Sequence, residues 1–162
     1  MRLRLAVLLP CPPERVVAEL ARTRWLNRLD APVLRFDPLD PPALPERWRT
    51  GDQRVALRVG GVLPIGQHVL GVRRVLDAGD PLGEGPTEIW HDAGHSDLVR
   101  TWDHRVLVED VHGMTRCTDV VEIRAGLLTL PAWLFAQVLY RVRGRRLTRL
   151  AARGFADDAL DG

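Results

Sequence analysis

A chain of 162 residues, 46% hydrophobic and 27% charged, has the size and composition of one domain with a real core and is short for two. Its 23 basic against 21 acidic residues leave a formal net charge of +2, too small to make nucleic acid an expected partner. Every basic residue is arginine, and the missing lysine excludes Schiff-base and lysine-base chemistry as well as a phosphate-loop lysine.

The run from Met1 to Cys11 has arginines, an apolar stretch and a cysteine, like a lipoprotein signal, but it is short and Pro10 stands where a small residue is needed. Arg2 to Leu9 is expected to be a first strand. Pro12-Pro13-Glu14 then opens a helix, since proline is tolerated in a first turn. Val16, Val17, Leu20 and Ala21, then Trp25, Leu26 and Leu29, carry the helical period to about Arg28, with a break expected near Thr23. Five prolines between Asp30 and Gly51 exclude a regular helix and allow one short extended piece, Val33 to Phe36.

Strand signals follow. Arg54 to Val59 runs into the turn pair Gly60-Gly61, a second strand covers about Val62 to Leu76, and Gly79 to Gly85 is loop. Thr87 to His91, Leu98 to Glu109 and Thr115 to Arg124 are three further strands, with turns at Asp92 to His95 and at Asp110 to Gly113. A meander of this kind needs a cover for its apolar face. The cover is a final helix capped by Thr129, with Pro131 in its first turn and a stripe of Leu134, Phe135, Val138, Leu139 and Val142. The stripe stops at Gly144, so the first three turns are expected to be buried against the sheet and the remainder to project or pack elsewhere. Residues 154–162 are expected to form a flexible acidic tail behind a single domain of residues 1–153.

Strand, helix, antiparallel meander and one long amphipathic helix, in that order, resemble the helix-grip fold of the START and Bet v 1-like superfamily, which includes bacterial polyketide cyclases and SRPBCC proteins. The resemblance rests on this order, on the opening Pro-Pro-Glu-Arg-Val, on Gly51, and on the block from Trp102-Asp-His104 through Thr115 and Asp119 to Ala125-Gly126. It implies an α+β fold in which a curved antiparallel sheet of about six to seven strands wraps the C-terminal helix. It also implies a hydrophobic pocket between them for lipids, polyketides, hormones or similar apolar molecules, with enzymes a minority.

Alternation places Trp102, His104, Val106 and Val108 on the inner face of one strand, and Cys117, Asp119, Val121 and Ile123 on the inner face of the next. Opposed residues must then sum to an odd number. A turn centred between Val111 and His112 gives 223 and sets His104 opposite Asp119, Trp102 opposite Val121 and Val106 opposite Cys117. Three roles are open to such a pair: an internal contact that fixes register, a polar anchor for a ligand, or a His–Asp dyad for acid–base chemistry.

Trp102, His104, Asp119 and Val121 are thus the expected cavity floor, facing Leu134, Phe135, Val138 and Leu139 of the helix. The expected function is binding or carriage of an apolar small molecule. The alternatives are a cyclase or dehydratase-type enzyme using His104 and Asp119, and a protein-interaction module.

Other groups are weaker candidates. Ser96 is the only serine and sits outside a Gly-x-Ser-x-Gly elbow. Cys11 and Cys117 lack metal or redox spacing and read as small core residues in a reducing compartment, with a lone disulfide as the alternative. His91 and His95 frame the expected turn without converging, so no metal site is expected. His68 and His112 are expected at the surface or in turns, while Trp48 and Trp90 suit either core or cavity. The five arginines from Arg141 to Arg149 suit a solvated helix end, with an acidic partner, a membrane surface or RNA as alternatives. No cofactor, nucleic acid or integral membrane association is expected, and the location is expected to be cytoplasmic, since no run nears the ~20 apolar residues of a membrane helix.

Overall fold

The computed structural model describes residues 1–156; the rest of the expected tail, 157–162, lies outside the described residues. Strand β1 (Arg2–Leu9) leads into helices α1 (Pro13–Leu20) and α2 (Trp25–Asp30). Six strands follow: β2 (Leu34–Asp40), β3 (Gly51–Val59), β4 (Leu63–Val75), β5 (Thr87–Ser96), β6 (Thr101–Val111) and β7 (Met114–Arg124). A 3-10 turn at Gly126–Leu128 then opens α3 (Thr129–Ala152).

The strands form one curved antiparallel sheet in the order β1-β7-β6-β5-β4-β3-β2. The first strand therefore lies beside the last, and α3 returns across the concave face to pack on β1, β7 and α2. This is the expected architecture, with seven strands.

Helix α1 starts at Pro13 and buries Val16, Val17 and Leu20. The expected break falls at Ala21 to Arg24, and its backbone is used by the proline-rich connection. Thr23 N–H donates to Glu46 O at 3.1 Å, and Trp48 N–H donates to Ala21 O at 2.8 Å. That strap carries Trp48 into the core. The extended piece before it is longer than expected. It reaches Asp40 through Pro38, which is tolerated because β2 is an edge strand with an irregularity there.

Three expectations are corrected. Asp92 to His95 is not a turn: β5 runs unbroken to Ser96, Gly94 pairs with Trp102, and the chain reverses at residues 97–100. Gly94 is required by a close approach rather than a turn, since a Cβ there would lie 2.6 Å from His68 Nε2. The β6–β7 register is also two residues away from the expected one. His104 faces Val121, and Asp119 faces Val106. His112 and Gly113, with φ of 56° and 81°, form the two-residue turn between Val111 and Met114, the geometry that matches the twist of a hairpin.

The third correction concerns α3. Its inner seam runs in alternating steps of four and three through buried Ala136 and Tyr140, the mostly covered Arg143, and buried Leu147 and Leu150. Burial thus continues beyond Gly144, where the helix approaches β1 so closely that a Cβ would lie 2.9 Å from Val7 Cγ1. Leu134 and Val138, expected to face the sheet, are more than half exposed. Phe155, placed by expectation in the tail, is buried and meets Trp25 edge-on at 6.1 Å.

Candidate functional site

A cavity of about 270 Å³ lies between the concave face and the helices. Strands β5 and β6 supply Trp90, Asp92, Trp102, His104 and Val106 to its wall, and β4 supplies His68 and Leu70. From above, α2 adds Trp25, Leu29 and Asp30, while α3 adds Phe135, Leu139, Tyr140 and Arg143. Trp48 closes one side against Trp90, with ring centroids 5.7 Å apart. Of the eight expected site residues, Trp102, His104, Phe135 and Leu139 are on the wall. Asp119 and Val121 are buried behind it, and Leu134 and Val138 point to solvent.

Although they are not cross-strand partners, His104 and Asp119 are joined: His104 Nε2 is 2.7 Å from Asp119 Oδ1. The contact runs along the diagonal of the ladder, which long polar side chains can span. A neutral imidazole bound this way donates from Nε2 and keeps its other nitrogen as an acceptor. Trp90 and Tyr140 pack edge-on against the ring at centroid distances of 5.0 and 4.8 Å, fixing its plane. Tyr140 Oη in turn accepts from Trp102 Nε1 at 3.3 Å.

Behind the imidazole the pair is part of a larger buried network. Arg143 Nη1 donates to Asp30 Oδ1 at 3.1 Å, and Arg143 Nε lies 3.7 Å from Asp119 Oδ1. One guanidinium therefore holds two carboxylates from different elements, joining α3 to α2 and to β7. Burial raises the Asp30 carboxyl above its ordinary value, and Arg143 opposes that rise. Burial also lowers the His104 imidazole, against the pull of Asp119. The ring is consequently held neutral, as a hydrogen-bonding group on an otherwise apolar wall. Arg143, Tyr140 and Asp30 had no place in the expected site. The signal for the first two was their helical spacing with Ala136 and Leu147, which an arginine interrupts if it is scored only as polar.

A second polar group lies on the β4–β5 side. Asp92 stands directly across from His104 on the neighbouring strand, and its Oδ1 accepts the Gly71 N–H at 2.6 Å. Burial pushes its carboxyl up to about 7. His68 is buried rather than at the surface, with its imidazole lying over Gly94, and burial lowers it to about 4.

The remaining candidates separate. With β5 continuous, His91 and His95 lie four residues apart along one strand, about 13 Å by the rise of an extended chain. His91 Nε2 is 2.9 Å from Asp103 Oδ2. Among the described residues no group of three or more His, Cys, Asp or Glu could hold a metal ion. The arginine run does not form one patch. Arg143 is inside, Arg146 Nε donates to Arg28 O at 2.7 Å, and Arg145 and Arg149 face solvent. No helix among the described residues is long and apolar enough to cross a membrane.

The sequence matches no family model and no curated protein. Solved structures do match in shape. A protein from Arthrobacter aurescens superposes with a TM-score of 0.67 at 12% identity, over 99% of this chain and 90% of that one. The AHSA1 protein from Silicibacter pomeroyi gives 0.56 at 18% identity, over 94% and 99% of the two chains. Ara h 8.0201, a Bet v 1 allergen, gives 0.51 at 8% identity, over 91% and 97%. The fold is the helix-grip fold that these structures share.

Proposed function

We propose that this protein binds and carries an apolar small molecule in the cavity between the sheet and α3, with the neutral imidazole of His104 as an inner polar anchor. The observation that carries this reading is a cavity of about 270 Å³ walled mainly by Trp25, Leu29, Trp90, Phe135 and Leu139, with a fixed imidazole on its floor. Such a space suits a ligand whose body replaces water against aromatic and aliphatic walls while one oxygen or nitrogen meets the ring. Helix-grip neighbours support the same reading.

A direct test is calorimetric titration with naphthylethanol, a neutral apolar probe with one hydroxyl. One probe is expected to bind per chain, and Ala132→Trp, which fills the cavity from α3, is expected to abolish binding while the chain stays folded by circular dichroism. Absence of binding to the wild-type protein would refute the reading.

One observation favours a second reading, a cyclase or dehydratase-type enzyme. Asp119 orients His104 through one nitrogen, leaving the other free to accept a proton from a bound molecule. Catalysis requires that turnover be lost in His104→Gln while binding of the probe is retained.

A further inference from the structure

We propose that the cavity has a second polar pole, built on Asp92 and His68, which takes the protonated amine of an otherwise apolar ligand. The proposal rests on the reading of the cavity as a ligand site and adds the chemical class of what fills it.

The first observation is an imbalance of charge. Four charged side chains besides histidine line the cavity: Arg22, Asp30, Asp92 and Arg143. Arg143 is paired with Asp30 at 3.1 Å, and Arg22 is 3.9 Å from Glu19. Asp92, only 2% exposed, has no ion-pair partner among the described residues. A carboxylate removed from water without a cation in contact is costly, and Arg73, the arginine that bears on it, is itself paired with Asp52 at 2.9 Å.

The second observation is the way the pole is held. The Gly71 N–H takes Asp92 Oδ1 and fixes the carboxyl, leaving the second oxygen as the group available to a ligand. His68 pairs with Ser96, four residues along β4 from the Val72 that faces Asp92, and its buried imidazole lies over Gly94 on the same cavity wall. Its position depends on Gly94, where any side chain would collide with the ring. Gly94 occupies the concave face of β5 next to Asp92, so the backbone itself makes room for an imidazole at this point. Two residues along the same face on the other side, Trp90 presents its indole to the cavity.

These groups describe a receptor for a cation. A primary ammonium has three N–H donors. A carboxylate oxygen and a neutral imidazole nitrogen accept two of them, and an indole face is favourable for the charge. A ligand carboxylate would instead meet the Asp92 carboxylate, and a hydroxyl would leave its charge uncompensated. The raised Asp92 value agrees, since burial penalises its ionised form by more than the Gly71 N–H and Arg73 offset.

The test compares three probes that differ only at one end: naphthylethylamine, naphthylethanol and naphthylacetate, titrated calorimetrically at pH 7.5. The amine is expected to bind at least tenfold more tightly than the alcohol, and the acetate most weakly. In Asp92→Asn the amine is expected to fall to within twofold of the alcohol measured on the same variant. Equal binding of amine and alcohol by the wild-type protein would overturn this proposal and leave the apolar-carrier reading standing, as would an amine preference that survives Asp92→Asn. Failure of all three probes would overturn both. The wild-type ranking decides the matter even if the variant does not fold.

Discussion

Asp119 reaches the imidazole of His104 along a diagonal of the β6–β7 ladder. His104 stands opposite Val121 and Asp119 opposite Val106, yet Nε2 and Oδ1 are 2.7 Å apart. The diagonal leaves Asp119 behind the cavity wall and puts only the ring on it, so the carboxylate can be removed without reshaping the floor. Asp119→Asn keeps an acceptor for the ring and is expected to cost about 1–3 kcal/mol. Asp119→Ala deprives both His104 and Arg143 and is expected to cost about 3–5 kcal/mol. Urea unfolding measures both. His104→Ala is expected to weaken naphthylethanol binding at least tenfold, a larger effect than its loss of stability; unchanged binding with a large loss of stability would make the pair a register device only.

Arg143 is the hub that ties α3 to α2 and β7. Arg143→Met leaves Asp30 and Asp119 buried without their cation and is expected to destabilise by about 3–5 kcal/mol. Asp30→Asn in the Arg143→Met background is expected to recover part of that loss. The double-mutant cycle should therefore give a coupling of about 1–3 kcal/mol, where independent sites would add to within a few tenths.

His68 and Asp92 give opposite contributions to stability over one range of pH. Asp92 rises from 3.8 to about 7 on folding, so the folded chain holds a proton that the unfolded chain has released. Its contribution is fully present at low pH and is lost as pH rises towards 7. His68 falls from 6.5 to about 4, so its contribution is present above 6.5 and is lost as pH falls towards 4. In the native chain the two slopes oppose each other between about pH 4 and 6.5. Asp92→Asn keeps an acceptor for the Gly71 N–H and removes the first slope. Its stability is expected to climb with pH relative to wild type over this range and to exceed wild type above pH 7. His68→Asn is expected to show the reverse slope. Urea midpoints at half-unit pH intervals test both, and parallel curves for all three proteins would show that neither group titrates as described.

Gly144 is a point of contact between α3 and β1. Alanine in a helix interior usually gains about 1 kcal/mol over glycine. Here the added Cβ would lie 2.9 Å from Val7 Cγ1, on a stiff β-branched side chain. Overpacking of this kind costs about 1–3 kcal/mol, so Gly144→Ala is expected to destabilise. The same change in a Val7→Ala background is expected to be neutral or stabilising. Thermal unfolding of the four proteins measures the difference.

Much of the architecture was legible because apolar spacing and turn chemistry agree along most of the chain. The strand alternation of β6 and β7 placed His104 and Asp119 on one face, and parity fixed that pairing sums are odd. Parity does not choose between 223 and 225; the left-handed pair His112-Gly113 does, and a turn read across all four residues from Asp110 to Gly113 hides it. At Asp92 to His95 the same residue types lie within a strand, because Gly94 makes room for His68 and Asp92 takes a backbone N–H. Local composition cannot distinguish a glycine needed for a turn from one needed for a neighbouring ring. The helix seam was hidden for a related reason. Arg143 is inside only because Asp30 and Asp119, distant in sequence, converge on it. Such a network is a property of the tertiary structure, and its members are the residues that hydrophobic periodicity discards.

Native mass spectrometry of the protein purified from its own cells tests the central claim most directly. One retained small apolar molecule per chain is expected, released on denaturation and lost from Ala132→Trp. A chain that carries the unliganded mass, and that also takes up no naphthyl probe in titration, would contradict it.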